Sequence, residues 1–150
     1  MVRAPALLAV MVLVAAGCGD GGEQEPGAPP SGGGLTLGVA FDPDPPEAGK
    51  PVTWSLTVGN GGAEAVTLTF SSGKRGDVVL EGEGGGEAYR WSDGRFFTEA
   101  LSRQELGPGQ EVVYRLEEPS LSVEPGDYTL VATLAAEPEV GPDRQRVQIR

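Results

Sequence analysis

Few kinds of side chain in this sequence could do chemistry: carboxylates, hydroxyls, lysines and arginines, and the single thiol of Cys18, with no histidine among 150 residues. The absence of histidine removes the commonest general base and the commonest transition-metal ligand together. Zinc sites and Ser-His-Asp or Cys-His catalysis are thereby excluded. Paired-carboxylate hydrolysis and an all-oxygen cation site remain to be considered. Asp42-Pro43-Asp44-Pro45-Pro46-Glu47 sets three carboxylates close together, but prolines stiffen the run and no Asp-x-Asp-x-Asp-Gly loop follows, so it reads as a solvated turn. The glycine run Gly82-Glu83-Gly84-Gly85-Gly86 lacks the Gly-Lys-Ser/Thr ending of a phosphate loop, and Glu81, Glu83 and Glu87 around it would repel phosphate. Neither enzymatic activity nor a metal or other cofactor is expected. A net charge of −11 also makes nucleic acid an unsuitable partner, because phosphate binding needs a basic footprint.

Two short segments stand out as candidate partner-binding loops. Ser71-Ser72-Gly73-Lys74-Arg75-Gly76 places two basic side chains, Lys74 and Arg75, on an acidic chain, and Ser92-Asp93-Gly94-Arg95 forms a compact polar turn ahead of Phe96. The stretch Tyr89 to Phe97 holds one of two tryptophans, one of three tyrosines and two of four phenylalanines, a density that calls for an explanation. Packing is one: Tyr89 and Trp91 alternate inward and Phe96 or Phe97 closes the end of the core. An exposed aromatic anchor for a partner is the other. Packing is favoured for Trp91. Adjacent Phe96 and Phe97 cannot both face inward if that piece is extended. Lys74, Arg75, Ser92, Asp93, Arg95 and Phe96 are the candidate contact residues.

The elements that must position these loops are strands. Leu35 to Phe41, Val52 to Val58 and Val66 to Phe70 alternate apolar with small polar residues, the period of a half-buried strand. Gly59-Asn60-Gly61-Gly62-Ala63-Glu64 predicts a hairpin between the last two. Shorter strands over Asp77 to Glu81 and Glu87 to Trp91 flank the glycine-rich tip. Further strands are predicted at Gln110 to Glu117, Tyr128 to Leu134 and, as a closing edge, Arg146 to Arg150. Pro125-Gly126-Asp127-Tyr128 looks like the corner by which immunoglobulin-like domains enter a strand beside a tyrosine. Turn residues between the strands complete the pattern of an all-β, immunoglobulin-like antiparallel β-sandwich of eight or nine strands.

Residues 35–150 suit one such domain. Before it, Gly19 to Gly34 contains glycine, proline and polar residues with no aliphatic beyond Ala28, which predicts a disordered tether over 18–34. Met1-Val2-Arg3 and the apolar run Ala4 to Ala16 read as an export signal over 1–17, too short for a spanning helix. Ala15-Ala16-Gly17-Cys18 resembles the bacterial lipobox, which implies lipidation at Cys18. The location expected from this is the bacterial cell envelope, extracytoplasmic and anchored to the membrane by lipid.

The order of motifs in the domain resembles the BsuPI-type intracellular proteinase inhibitor family of bacteria. The resemblance is carried by Phe70-Ser71-Ser72-Gly73-Lys74, Gly76-Asp77-Val78, Tyr89-Arg90-Trp91-Ser92-Asp93-Gly94-Arg95-Phe96-Phe97-Thr98, Pro108-Gly109-Gln110 and Pro125-Gly126-Asp127-Tyr128, and spans Leu35 to Leu134. Lys74 stands where glutamine is usual, Gly76 where an aromatic is usual and Val78 where phenylalanine is usual. The resemblance implies inhibition of a serine proteinase of the subtilisin type by presentation of a loop or edge to the active-site cleft. A non-inhibitory immunoglobulin-like protein-binding or envelope-assembly module is the alternative.

Overall fold

The computed structural model describes residues 34–150, and these form nine strands paired antiparallel throughout. β1 (Leu35–Asp42), β2 (Val52–Asn60) and β7 (Glu111–Glu118) make one sheet in the order β1-β2-β7. β5 (Glu87–Arg90), β4 (Gly76–Glu81), β8 (Gly126–Leu134) and β9 (Asp143–Ile149) make a second in that order, and β3 (Val66–Phe70) pairs with β6 (Ser102–Leu106). The alternation in β2 is realised directly: Val52, Trp54, Leu56 and Val58 are buried while Thr53, Ser55 and Thr57 between them are half-buried. Val52, Trp54 and Leu56 pack with Leu80, Leu130, Val147 and Ile149 of the four-stranded sheet and with Leu116 of β7. A second cluster gathers Val58, Leu68, Phe70, Leu106 and Leu134 where β3 and β6 close the end of the sandwich. Each such aliphatic side chain contributes about 1.5–3 kcal/mol on full burial. The corner before β8 is closed by Tyr128, whose hydroxyl donates to the Glu124 carbonyl at 2.7 Å.

The clearest departure from the sequence pattern has a physical cause. No hairpin joins β2 and β3; β2 takes β1 and β7 as neighbours and β3 takes β6. The reason is Asn60, which turns inward to 2% exposure and donates from Nδ2 to the Glu64 and Leu106 carbonyls at 2.8 and 2.9 Å, while its Oδ1 accepts from Gly62 N–H. One buried amide thus bends the chain into an arch between sheets. β6 was absent from the sequence pattern, and β9 starts at Asp143, ahead of the expected Arg146. The β4–β5 hairpin forms as expected, with a register shift between Leu80 and Glu81. The leader over 1–17, Cys18, and the tether apart from Gly34 lie outside the described residues.

Candidate functional site

A buried carboxylate at the start of β4 organises the site. Asp77, second in β4, is 3% exposed. Its Oδ1 accepts from the Val78 and Ser92 N–H groups at 3.0 and 3.1 Å, and its Oδ2 accepts from Ser92 Oγ, Lys74 Nζ and Arg90 Nη1 at 2.5, 2.8 and 3.3 Å. Burial raises the pKa of this carboxyl, but hydrogen bonds from Lys74 and Ser92 and the Lys74 charge outweigh it and hold the group below the ordinary aspartate value. An ionised carboxylate with two cations and three further donors is the arrangement in which a buried charge is tolerated. It fastens the Ser71–Gly76 loop to the Ser92–Arg95 turn, so the two loops that sequence alone kept separate share one surface.

Arg95 is fastened on the other side of the turn. Its Nε donates to the Trp91 carbonyl at 2.7 Å, and its Nη2 reaches the Glu117 carbonyl at 3.0 Å and Glu118 Oε2 at 3.2 Å. The guanidinium lies 4.5 Å over the Trp91 ring. Trp91 is buried, donates Nε1 to the Glu117 carbonyl at 3.0 Å and packs at 5.8 Å from the Phe97 ring. Tyr89 donates to Glu118 Oε2 at 2.9 Å; burial, then that carboxylate, pushes its phenol well up, so it stays a donor. Gly94 has φ of 72°, a conformation that glycine adopts at little cost and that closes the turn. A groove of about 550 Å³ runs beside the turn between Tyr89, Arg90, Asp93, Arg95, Glu118 and Ser122.

Phe96 projects from this platform. It is 101% exposed, while Arg95 before it and Phe97 after it are half-buried. Thr98, two residues on, accepts at its carbonyl from Gly73 N–H at 2.7 Å. Of the candidate residues, Lys74 and Ser92 meet at Asp77, Arg95 is the staple under the turn, Asp93 is exposed on it and Phe96 stands clear. Arg75 turns elsewhere, its guanidinium 4.5 Å over the Phe70 ring and donating to the Ser72 carbonyl. Trp91 is packing, and Phe97 rather than Phe96 is the partner that covers it. Sequence reasoning missed Asp77, Arg90 and Glu118 as members. The one available signal was a carboxylate between Gly76 and the apolar run Val78-Val79-Leu80.

Among the described residues no group of three or more metal-ligating side chains occurs, and no helix is long and apolar enough to cross a membrane.

Residues 39–139 match the family model BsuPI, described as intracellular proteinase inhibitor. No curated protein matches the chain. Among solved structures, it is similar to the sporulation control protein Spo0M from Bacillus subtilis at 16% identity and a TM-score of 0.49, over 79% of this chain and 50% of that one. The CARDB domain of the PF1109 protein from Pyrococcus furiosus matches at 20% identity and 0.47, over 77% and 87%. The alkylpurine DNA glycosylase AlkC of Pseudomonas fluorescens matches at 14% and 0.46, over 80% and 31%. The chain thus spans half of Spo0M and under a third of AlkC. The family description corrects one expectation: an extracytoplasmic place in the cell envelope conflicts with a family of intracellular inhibitors. That expectation was drawn wholly from the apolar N-terminus and Cys18, local signals separate from the domain and outside the described residues.

Proposed function

The chain belongs to the BsuPI intracellular proteinase inhibitor family, and from that premise we propose that it inhibits a subtilisin-like serine proteinase through the surface formed by residues 92–96 and the adjoining Lys74. One observation supports this surface above others: Phe96 is fully exposed between neighbours that are held in place. An aromatic side chain buries about 150–250 Å² when it enters a pocket. With Arg95 and Phe97 fixed on either side, the backbone that carries it loses little freedom on binding, a cost that weakens flexible ligands. Lys74 supplies basic charge nearby but is engaged by Asp77, so its part is to shape the surface before contact, whereas Arg75 turns away from it onto Phe70. Titration of the full chain against a panel of serine proteinases tests the proposal. Absence of inhibition at micromolar concentration would transfer the reading to a non-inhibitory immunoglobulin-like binding module.

Lipid modification of Cys18 is a separate proposal, supported by Ala15-Ala16-Gly17-Cys18 behind an apolar run read as a leader over 1–17. Metabolic labelling with palmitate should mark the wild-type chain and spare Cys18→Ala. Equal label in both would overturn it.

A further inference from the structure

We propose that the contact is substrate-like and that the bound proteinase reversibly cleaves the Phe96–Phe97 peptide bond; this rests on the inhibitory reading above. Phe96 faces solvent and Phe97 faces the domain, so an extended chain here offers one large apolar side chain to a specificity pocket, as a serine proteinase with an apolar pocket requires. The segment 95–101 lies outside the strands. Among the described residues, the Phe96 N–H and carbonyl make no backbone hydrogen bond within the domain, which leaves them free to pair with an enzyme cleft.

The two ends that cleavage would create are both tied to the domain. On the amino side of the bond, Arg95 N–H donates to the Ser92 carbonyl at 3.1 Å and the Arg95 side chain binds Trp91 and Glu117 at 2.7 and 3.0 Å. On the other side, the Phe97 ring packs 5.8 Å from the same tryptophan and the Thr98 carbonyl accepts from Gly73. Both flanks converge on Trp91, so breaking the bond between them would not let the new ends part.

The chemistry balances with the proteinase's own groups. Its serine oxygen attacks the Phe96 carbonyl carbon, and the serine proton passes to its histidine. The carbon–nitrogen bond breaks, the histidine proton goes to the Phe97 nitrogen, and an ester joins Phe96 to the enzyme. The Phe97 amine, still positioned by Trp91 and Gly73, attacks the ester and loses a proton to the histidine; the bond from Phe96 to the serine oxygen breaks and the histidine returns the proton to that oxygen, restoring the peptide bond and the free serine. Water attacking instead gives a nicked chain. A held amine competes with water because positioning raises its effective concentration by orders of magnitude.

The experiment incubates the full chain with a catalytic amount of subtilisin and, in parallel, of chymotrypsin, and follows intact mass, N-terminal sequence and inhibition over days. The expected result is an equilibrium mixture of intact chain and a species heavier by one water, whose new N-terminus reads Phe-Thr-Glu-Ala. The purified nicked species should inhibit and be returned to the intact chain by fresh enzyme. Phe96→Gly, at a position with no packing to lose, should give no nick there. Arg95→Ala should be consumed as a substrate at least tenfold faster, with its melting temperature recorded alongside. Inhibition with no nick, with a nick elsewhere, or with a nick that fresh enzyme cannot close would overturn this inference and leave the inhibitory reading standing. No inhibition by either route would overturn both.

Discussion

Two neighbouring connections differ in how their exposure is supported. The β4–β5 tip is exposed from Glu83 to Gly86, and two short backbone bonds, Gly82 N–H to the Gly86 carbonyl and Gly85 N–H to the Gly82 carbonyl, each 2.9 Å, close it. The connection after β5 is equally open at Asp93, Gly94 and Phe96 but rests on the Asp77 cluster on one side and the Trp91–Arg95–Glu118 cluster on the other. The first presents backbone; the second presents one large side chain between two fixed neighbours. Exposure becomes display only where the neighbours are held.

The largest effect should come from removing the support. Trp91→Ala deletes the ring on which Arg95 and Phe97 both rest, and should cost about 3–5 kcal/mol in urea unfolding together with most inhibition. A stable, fully inhibitory variant would show that the platform is not what positions Phe96. Asp77→Asn should come next. It keeps shape but weakens the bonds to Lys74, Arg90 and Ser92, at a cost of about 1–3 kcal/mol. Asp77 also sets an acid-side slope. Because its folded pKa lies below the unfolded value of 3.8, its stabilisation is complete well above that value and is lost as pH falls through the folded one. Comparing unfolding from pH 6 to pH 2, the wild type should lose its excess over Asp77→Asn; a constant difference would mean that the carboxylate is not ionised in the fold.

Much of this contrast could be anticipated from residues alone, and some could not. Alternation in β2 is strong because both its apolar period and its burial agree, and the parity of Phe96 and Phe97 follows from strand geometry once the piece is extended. Which of the two turns inward was not readable, since it depends on where Trp91 sits. β6 escaped notice because Ser102-Arg103-Gln104-Glu105-Leu106 buries only Leu106 and pairs at an edge with β3. Asn60-Gly61 carries a hairpin signal, yet the amide finds the Leu106 carbonyl 46 residues away and becomes an arch. Asp77 gathers partners 13 and 15 residues distant, at Arg90 and Ser92, a convergence that only the β4–β5 pairing creates. Local patterns reveal faces, whereas polar hubs depend on topology.

The smallest effect sharpens the contrast from the other side. Gly84→Ala on the glycine-rich tip meets open space and needs no positive φ, so stability should stay within about 0.5 kcal/mol and inhibition should not change. A tenfold loss of inhibition there would move the contact to the wrong connection.

Whether a pinned platform displays Phe96 to a proteinase is decided by titrating a subtilisin-like enzyme with the full wild-type chain and with Phe96→Ala, alongside their melting temperatures. The wild type should inhibit one-to-one, and the variant should show an inhibition constant at least tenfold higher, about 1.4 kcal/mol, with unchanged melting. Equal inhibition by the two chains would contradict that display.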